Sequence, residues 1–171
     1  MNHICPNNCL KRFSISRLYK FLKIENCPNL MTLLGSMDNL TLLQALTITE
    51  FPNLTSLPQG IRSLTSLKRL KVDNCPNLMA LPEWIGNLTS LEELIIRKCL
   101  NLTSLSQGIH DLPTLQRLMI NDCPILQARC LWKIGEDWPK ISHVPVLRLS
   151  WWRRWETSCS SMCLSVNHNF S

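Results

Sequence analysis

The chain lacks most of what a membrane anchor or a catalytic centre is built from. No apolar run reaches the roughly 18 residues of a membrane span. The N-terminus, Met1-Asn2-His3-Ile4-Cys5-Pro6, has no long apolar stretch of the secretory-signal kind. The expected compartment is therefore cytoplasmic, with no membrane partner. No glycine is followed by lysine, so a Gly-x4-Gly-Lys phosphate loop is excluded. There is no His-Glu-x-x-His pair and no serine at a nucleophile elbow. The histidines His3, His110, His143 and His168 are scattered along the chain. Nothing in the sequence places a nucleophile, a base and an orienting group together. The expectation is no enzyme, no cofactor and no metal.

A one-signed charge surface is also missing. The formal net charge is +6, but residues 19–126 balance nine basic against nine acidic side chains. The excess sits at the two ends, in Lys11, Arg12 and Arg17 and in the segment after 126. A nucleic-acid footprint places its cations along one face of the folded part, so no nucleic-acid partner is expected.

Cysteine, by contrast, is abundant, with nine in 171 residues. Cys27, Cys75, Cys99 and Cys123 share one position of a repeat, and Phe51 fills the same slot. A slot that accepts both residue types calls for a buried apolar side chain, and free cysteine behaves as a small hydrophobe. The odd total and the expected reducing compartment favour core thiols over disulfides. Cys5-x3-Cys9 and Cys159-x3-Cys163 have zinc-like spacing but lack a second ligand pair, since His3 and His168 are isolated.

The repeat itself has a period of 24 residues. Leu22, Leu46, Leu70, Leu94 and Leu118 keep this step, as do Ile24, Ile48, Val72, Ile96 and Ile120. Leu30, Leu54, Leu78, Leu102 and Leu126 follow it too. A period of roughly 20 to 29 with leucines at fixed offsets marks a leucine-rich-repeat solenoid. Within one unit, Leu70 and Val72 point one way while Arg69, Lys71 and Asp73 point the other, the period of a strand. Proline after Cys75 ends that strand. Leu78, Leu81, Ile85, Leu88 and Leu91 then return at spacings of three and four, as a short helix or 3₁₀ segment. The expected fold is α/β: a solenoid of about five such repeats, with a curved parallel sheet and helical or 3₁₀ returns.

The expected division is a degenerate repeat over 1–18, the solenoid over 19–126, a C-terminal cap over 127–145 and a disordered tail over 146–171. In that tail, Trp151-Trp152-Arg153-Arg154-Trp155 is an aromatic–basic stretch too short to show a helical apolar face.

The motif Leu-x-x-Leu-x-Ile/Val-x-x-Cys-Pro-x-Leu is followed by Leu-Pro and Ile-x-x-Leu-x-x-Leu, as in Leu57-Pro58-Gln59-Gly60-Ile61 and Leu81-Pro82-Glu83-Trp84-Ile85. In combination it resembles the C-terminal repeats of plant intracellular nucleotide-binding leucine-rich-repeat disease-resistance proteins. The ending Gly135-Glu136-Asp137-Trp138-Pro139-Lys140-Ile141-Ser142-His143-Val144-Pro145 is similar to the close of the coiled-coil subgroup. The likeness covers residues 19–145. It implies upstream coiled-coil and nucleotide-binding modules, neither of which is here, so the chain looks like a fragment or a truncated product. It also implies a protein-interaction module of innate immunity, whose partners are pathogen effectors or the receptor's own nucleotide-binding module.

Two alternatives stand beside this. One is an extracellular leucine-rich-repeat receptor fragment, a class marked by Leu-x-Gly-x-Ile-Pro, which is absent here. The other is a non-functional truncated remnant. The five Asn-x-Ser/Thr sites, Asn39, Asn53, Asn87, Asn101 and Asn169, would suit the first, but four are Asn-Leu-Thr, whose leucine belongs to the repeat. Asn53 and Asn101 are expected to bond the local backbone of a turn.

Binding is expected on the concave face of the sheet, where strand residues vary in size and charge while the inward ones do not. The candidates are Arg69, Lys71, Asp73, Glu93, Ile95, Arg97, Arg117, Met119 and Asn121. The arginines lead because arginine is enriched at interface hot spots.

Overall fold

A computed structural model describes residues 14–15, 20–26, 40, 42–150 and 165–167, the first and last of these segments by backbone alone. Residues 1–13, 16–19, 27–39, 41, 151–164 and 168–171, among them Trp151, Trp152, Trp155, Cys5, Cys9, Cys27, Cys159 and Cys163, lie outside them.

One eight-stranded sheet runs in chain order from β1 to β8. Its central members are β2 (Phe21–Glu25), β3 (Ala45–Thr49), β4 (Arg69–Asp73), β5 (Glu93–Arg97), β6 (Arg117–Asn121) and β7 (Val146–Ser150). These six pair in parallel. Each step from β2 to β6 advances the chain by 24 residues, so Leu22, Leu46, Leu70, Leu94 and Leu118 stand side by side. The two outer strands, β1 (Ser14–Ile15) and β8 (Ser165–Asn167), pair antiparallel with β2 and β7. A further repeat would add a parallel strand, so β1 does not extend the solenoid in the way expected of 1–18.

The strands are short and alternate. From β2 to β6 the second and fourth residues are buried, a Leu followed by an Ile or Val. Two inward side chains per strand cannot enclose a core. The return segments complete it with Leu54, Ile61, Leu64 and Leu67 in one coil, and Leu78, Ile85, Leu88 and Leu91 in the next. The shared slot holds Phe51, Cys75, Cys99 and Cys123, all buried, with the three thiols free. These are core side chains. Burial pushes the Cys75 thiol up to about 11 and the Cys130 thiol up to about 12, so neither is a nucleophile at neutral pH.

Each strand from β2 to β6 is followed by a residue with positive φ: Asn26, Glu50, Asn74, Lys98 and Asp122. There the chain turns out of the sheet, and the residue's N–H donates to the last strand residue of the next coil, as from Asn74 to Arg97 O at 3.0 Å. Asn and Asp tolerate this left-handed conformation better than other non-glycine residues. The returns pass through 3₁₀ segments at Gln59–Ser63, Glu83–Asn87 and Gln107–Ile109. Pro58 and Pro82 lead into the first two at φ of −62° and −73°, the value the ring imposes. Adjacent returns nearly touch: a Cβ on Gly108 would stand 2.3 Å from Glu83 O, so no larger residue fits there. The Glu83 carboxylate accepts from Ser106 Oγ at 3.0 Å and Gly108 N at 3.1 Å, fastening one return to the next.

Beyond β6 the structure corrects the expectation. Val146–Ser150, assigned to the tail, is a sixth parallel strand, with Leu118 against Leu147 and Ile120 against Leu149. The step from Arg117 to Val146 is 29 residues instead of 24. The longer coil carries two short helices, Pro124–Arg129 and Trp138–Ile141. Residues 127–145 therefore form the return arm of a longer coil that leads into β7. Gln127 is fully buried and satisfied there. Its Nε2 donates to Ile120 O at 3.2 Å and Ser150 O at 2.8 Å, and its Oε1 accepts from Cys123 N at 3.0 Å.

Asp137 is the second tie. It is 1% exposed and accepts from Leu105 N at 2.8 Å, Lys140 Nζ at 2.9 Å and Arg129 Nε at 3.3 Å. Lys140 Nζ also donates to Leu105 O. Burial opposes ionisation of this carboxyl. Hydrogen bonds from Lys140, Leu105 N and Arg129 outweigh it and hold the pKa below the usual aspartate value.

Two outcomes follow for stability. Leu94→Ala, which empties a site between Leu70 and Leu118, is expected to cost about 2–5 kcal/mol in urea unfolding. Asp137→Asn should cost about 1–3 kcal/mol, since its donors lose a charged acceptor. Because the folded pKa is lowered, the Asp137 contribution is whole above the unfolded carboxyl pKa of about 4 and fades as pH falls through the folded value. Melting temperature should therefore fall less steeply below about pH 4 in Asp137→Asn than in the parent; equal slopes would show that the clamp is not ionic.

Candidate functional site: the outward face of the sheet

Strand alternation puts the odd residues of each strand on the face away from the core, and parallel register aligns them in three rows. The first row is Phe21, Ala45, Arg69, Glu93, Arg117 and Val146. The middle row is Lys23, Thr47, Lys71, Ile95, Met119 and Arg148. The third is Glu25, Thr49, Asp73, Arg97, Asn121 and Ser150. All nine candidates thus share one face over β4, β5 and β6. Arg148 and Ser150 extend it onto β7 and were missed with that strand. The signal was available: Val146-Leu147-Arg148-Leu149-Ser150 alternates as Arg117-Leu118-Met119-Ile120-Asn121 does.

Ion pairs cross the strands. Glu93 is held from both sides, by Arg69 Nε and by Arg117 Nε, the latter at 3.2 Å. Asp73 takes Arg97 Nη1 across the strands at 3.8 Å and Lys71 Nζ from its own strand at 2.9 Å. Each carboxylate is shared by two cations, and it is the carboxylates that lie deep. The Glu93 and Asp73 side chains are 9% and 15% exposed, against 52% for Arg69, 39% for Arg97 and 43% for Arg117. Glu93, a candidate contact residue, lies on this face but deep in it, between the two arginines. Arg97 is incompletely paired: its Nε is buried and has no hydrogen-bond partner among the described residues. Ser150 Oγ donates to Asn121 Oδ1 at 2.6 Å, joining β7 to the third row.

Elsewhere the structure offers little chemistry. His110 and His143, far apart in sequence, come together with ring centroids 5.6 Å apart. Burial, then the neighbouring His110, lowers the pKa of His143. Asp111 lies 3.7 Å from His110 Nδ1, yet no group of three metal-ligating side chains occurs among the described residues. No helix among them is long and apolar enough to cross a membrane. Asn53, Asn87 and Asn101 are exposed, whereas Asn39 and Asn169 lie outside the described residues. Asn101 Nδ2 donates to Asn77 Oδ1 at 3.2 Å and Asn77 Nδ2 to Pro52 O at 2.7 Å. Asn101 thus bonds its counterpart one repeat back in place of its own turn.

The family described as leucine-rich repeat region matches residues 5–164 of this chain. The chain belongs to that family. Among solved structures it is similar to the leucine-rich repeat domain of the type III effector XopL, with a TM-score of 0.57 and 26% identity. That likeness covers 77% of this chain and 44% of the other, so the chain spans less than half of that neighbour's length. A search of curated proteins finds no match. A leucine-rich repeat region is a protein-interaction module, and the outward face is the surface with both varied residues and an organised charge pattern.

Removing the shared carboxylate should cost more than removing either cation. Glu93→Gln is expected to lose about 1–3 kcal/mol in thermal or urea unfolding. Arg69→Gln, which leaves Arg117 on the same carboxylate and starts from an exposed side chain, should lose about 0–1 kcal/mol. The reverse order would mean that Glu93 is not the hub of the ladder.

Proposed function

We propose that the chain is the recognition part of a plant intracellular defence receptor. It binds a pathogen effector or the receptor's own nucleotide-binding module through the outward face of its sheet. It acts in the cytoplasm, by complementarity of shape and charge, and performs no reaction of its own. The observation that carries this reading is the contrast between the two faces of the same strands. Inward positions repeat Leu and Ile or Val with little change, while outward positions differ at nearly every coil yet are organised into cross-strand ion pairs. The combined motif and the Gly135 to Pro145 ending support the receptor class, and the described thiols are buried and free, as suits a reducing compartment.

Sequencing the native transcript upstream of Met1 tests the receptor class. An in-frame nucleotide-binding module is the expected result; a transcript that opens at Met1 would reduce the reading to a stand-alone interaction module. The compartment is tested by mass spectrometry of the native protein. Asn53, Asn87 and Asn101 are exposed and open to modification, so unglycosylated sites are expected, and sugar on any of them would favour the extracellular class.

A further inference from the structure

We propose that the partner segment seated on β4 to β7 is acidic, with one apolar side chain at its centre. This rests on the outward face being the binding face and names the chemistry of what it binds. Ile95 and Met119 are neighbours in the middle row and half-buried. Lys71 and Arg148 stand on either side of them in that row. Arg117 and Arg97 flank them in the rows above and below. The result is a small apolar seat within a rim of cations. A buried anchor ringed by polar groups that exclude water is the arrangement of an interface hot spot.

The charge balance of the face gives the sign of the partner. On β4 to β7 the outward positions hold five cations, Arg69, Lys71, Arg97, Arg117 and Arg148, and two carboxylates, Asp73 and Glu93. The surplus is three positive charges. Depth increases it, because both carboxylates lie beneath the cations that pair with them. An approaching molecule therefore meets guanidinium and ammonium groups first. Arg148 has no ion pair among the described residues, and the nearest carboxylate oxygen to Arg97 is 3.8 Å away. Both are placed to take a carboxylate, and arginine does so with two parallel hydrogen bonds. Over β2 and β3 the same face carries Phe21, Lys23, Glu25, Ala45, Thr47 and Thr49, with no surplus charge, so the cationic seat belongs to the C-terminal half. A nucleic acid is the lesser fit. Single strands bind on grooves whose aromatic side chains stack the bases, and these four strands carry no outward aromatic residue.

The test uses the whole chain and a fluorescein-labelled synthetic peptide of alternating glutamate and serine with one central leucine, followed by anisotropy. Saturable binding that weakens with added salt is expected. Arg97→Gln with Arg117→Gln should weaken it by about tenfold or more, roughly 1.4 kcal/mol. Arg148→Gln should weaken it on its own; it breaks no ion pair among the described residues, and an unchanged melting temperature is expected, so it decides the matter if the double variant unfolds. Arg62→Gln, a cation on a 3₁₀ return, should change nothing. The proposal is overturned if the acidic peptide does not bind, if Arg62→Gln weakens it as much as Arg148→Gln, or if a single-stranded oligonucleotide binds more tightly. A glutamine version of the peptide separates the two layers of the argument. Should it bind as well as the acidic one, and should Met119→Arg abolish both, the partner's charge is wrong and the face is right. Binding untouched by every outward-face variant would sink both.

Discussion

No coil of this chain has an inside of its own. A five-residue strand sends two side chains inward, and the return arm adds a few more, but one side of that cluster always faces the next coil. The core exists only as a stack, and the interaction on which the rest depends is the in-register parallel pairing from β2 to β7. Register fixes which side chains become neighbours. It puts Leu against Leu and Ile against Ile or Val, with Leu149 of β7 against Ile120, and it aligns the slot of Phe51, Cys75, Cys99 and Cys123. Such a slot admits a small hydrophobe because the adjacent coil is already in place, which explains a cysteine ladder with no disulfide chemistry behind it. The left-handed residue after each strand from β2 to β6 belongs to the same requirement. It turns the chain out of the sheet while its N–H still reaches the next coil, so even Glu50 and Lys98 accept a conformation that suits asparagine better.

The same register writes the electrostatics of the outward face. Neighbouring strands bring Arg69, Glu93 and Arg117 side by side, and one carboxylate satisfies two guanidinium groups. A carboxylate so placed must sink, because it needs both partners within reach to offset its lost hydration. Long arginine stems can rise above it and keep their charge in water. The order of depth, acid below and base above, follows from side-chain length and from the sharing of one anion by two cations. It makes the face more cationic to an approaching molecule than the formal count suggests.

Much of this was legible in the sequence, for a physical reason. A strict period converts sequence offsets into spatial neighbours, so the sheet order, the inward rows and the outward rows could be written down from the 24-residue step alone. Legibility ends where the period breaks. β7 escaped because helices Pro124–Arg129 and Trp138–Ile141 lengthen the last coil to a 29-residue step, and a search at 24 falls between Leu118 and Leu147. The Asp137 clamp escaped because its partners, Arg129, Lys140 and the backbone of Leu105, lie at unrelated separations. The approach of His110 to His143 was hidden in the same way. The depth of Glu93 was hidden for another cause. Alternation tells which face a residue lies on but not how deep it sits there, and depth was set by neighbours on two other strands.

The irregular coil ties stability to recognition. β7 adds Arg148 beside the apolar pair Ile95 and Met119, and Ser150 bonded to Asn121. It holds its place partly through Gln127, which donates to the backbone of both β6 and β7 from inside the longer arm. That arm is in turn fixed to the previous coil by Asp137 and Lys140 acting on Leu105. The cationic rim is therefore completed by a strand whose position depends on buried polar contacts, whereas β3 to β6 rest on a repeated apolar ladder. Buried polar contacts are more sensitive to single substitutions than a distributed apolar ladder, since one missing partner leaves a desolvated group behind. Changes in the 127–145 segment should thus reach the outward face without touching it, by loosening β7 against β6. A regular 24-residue coil would have continued the sheet with no such dependence.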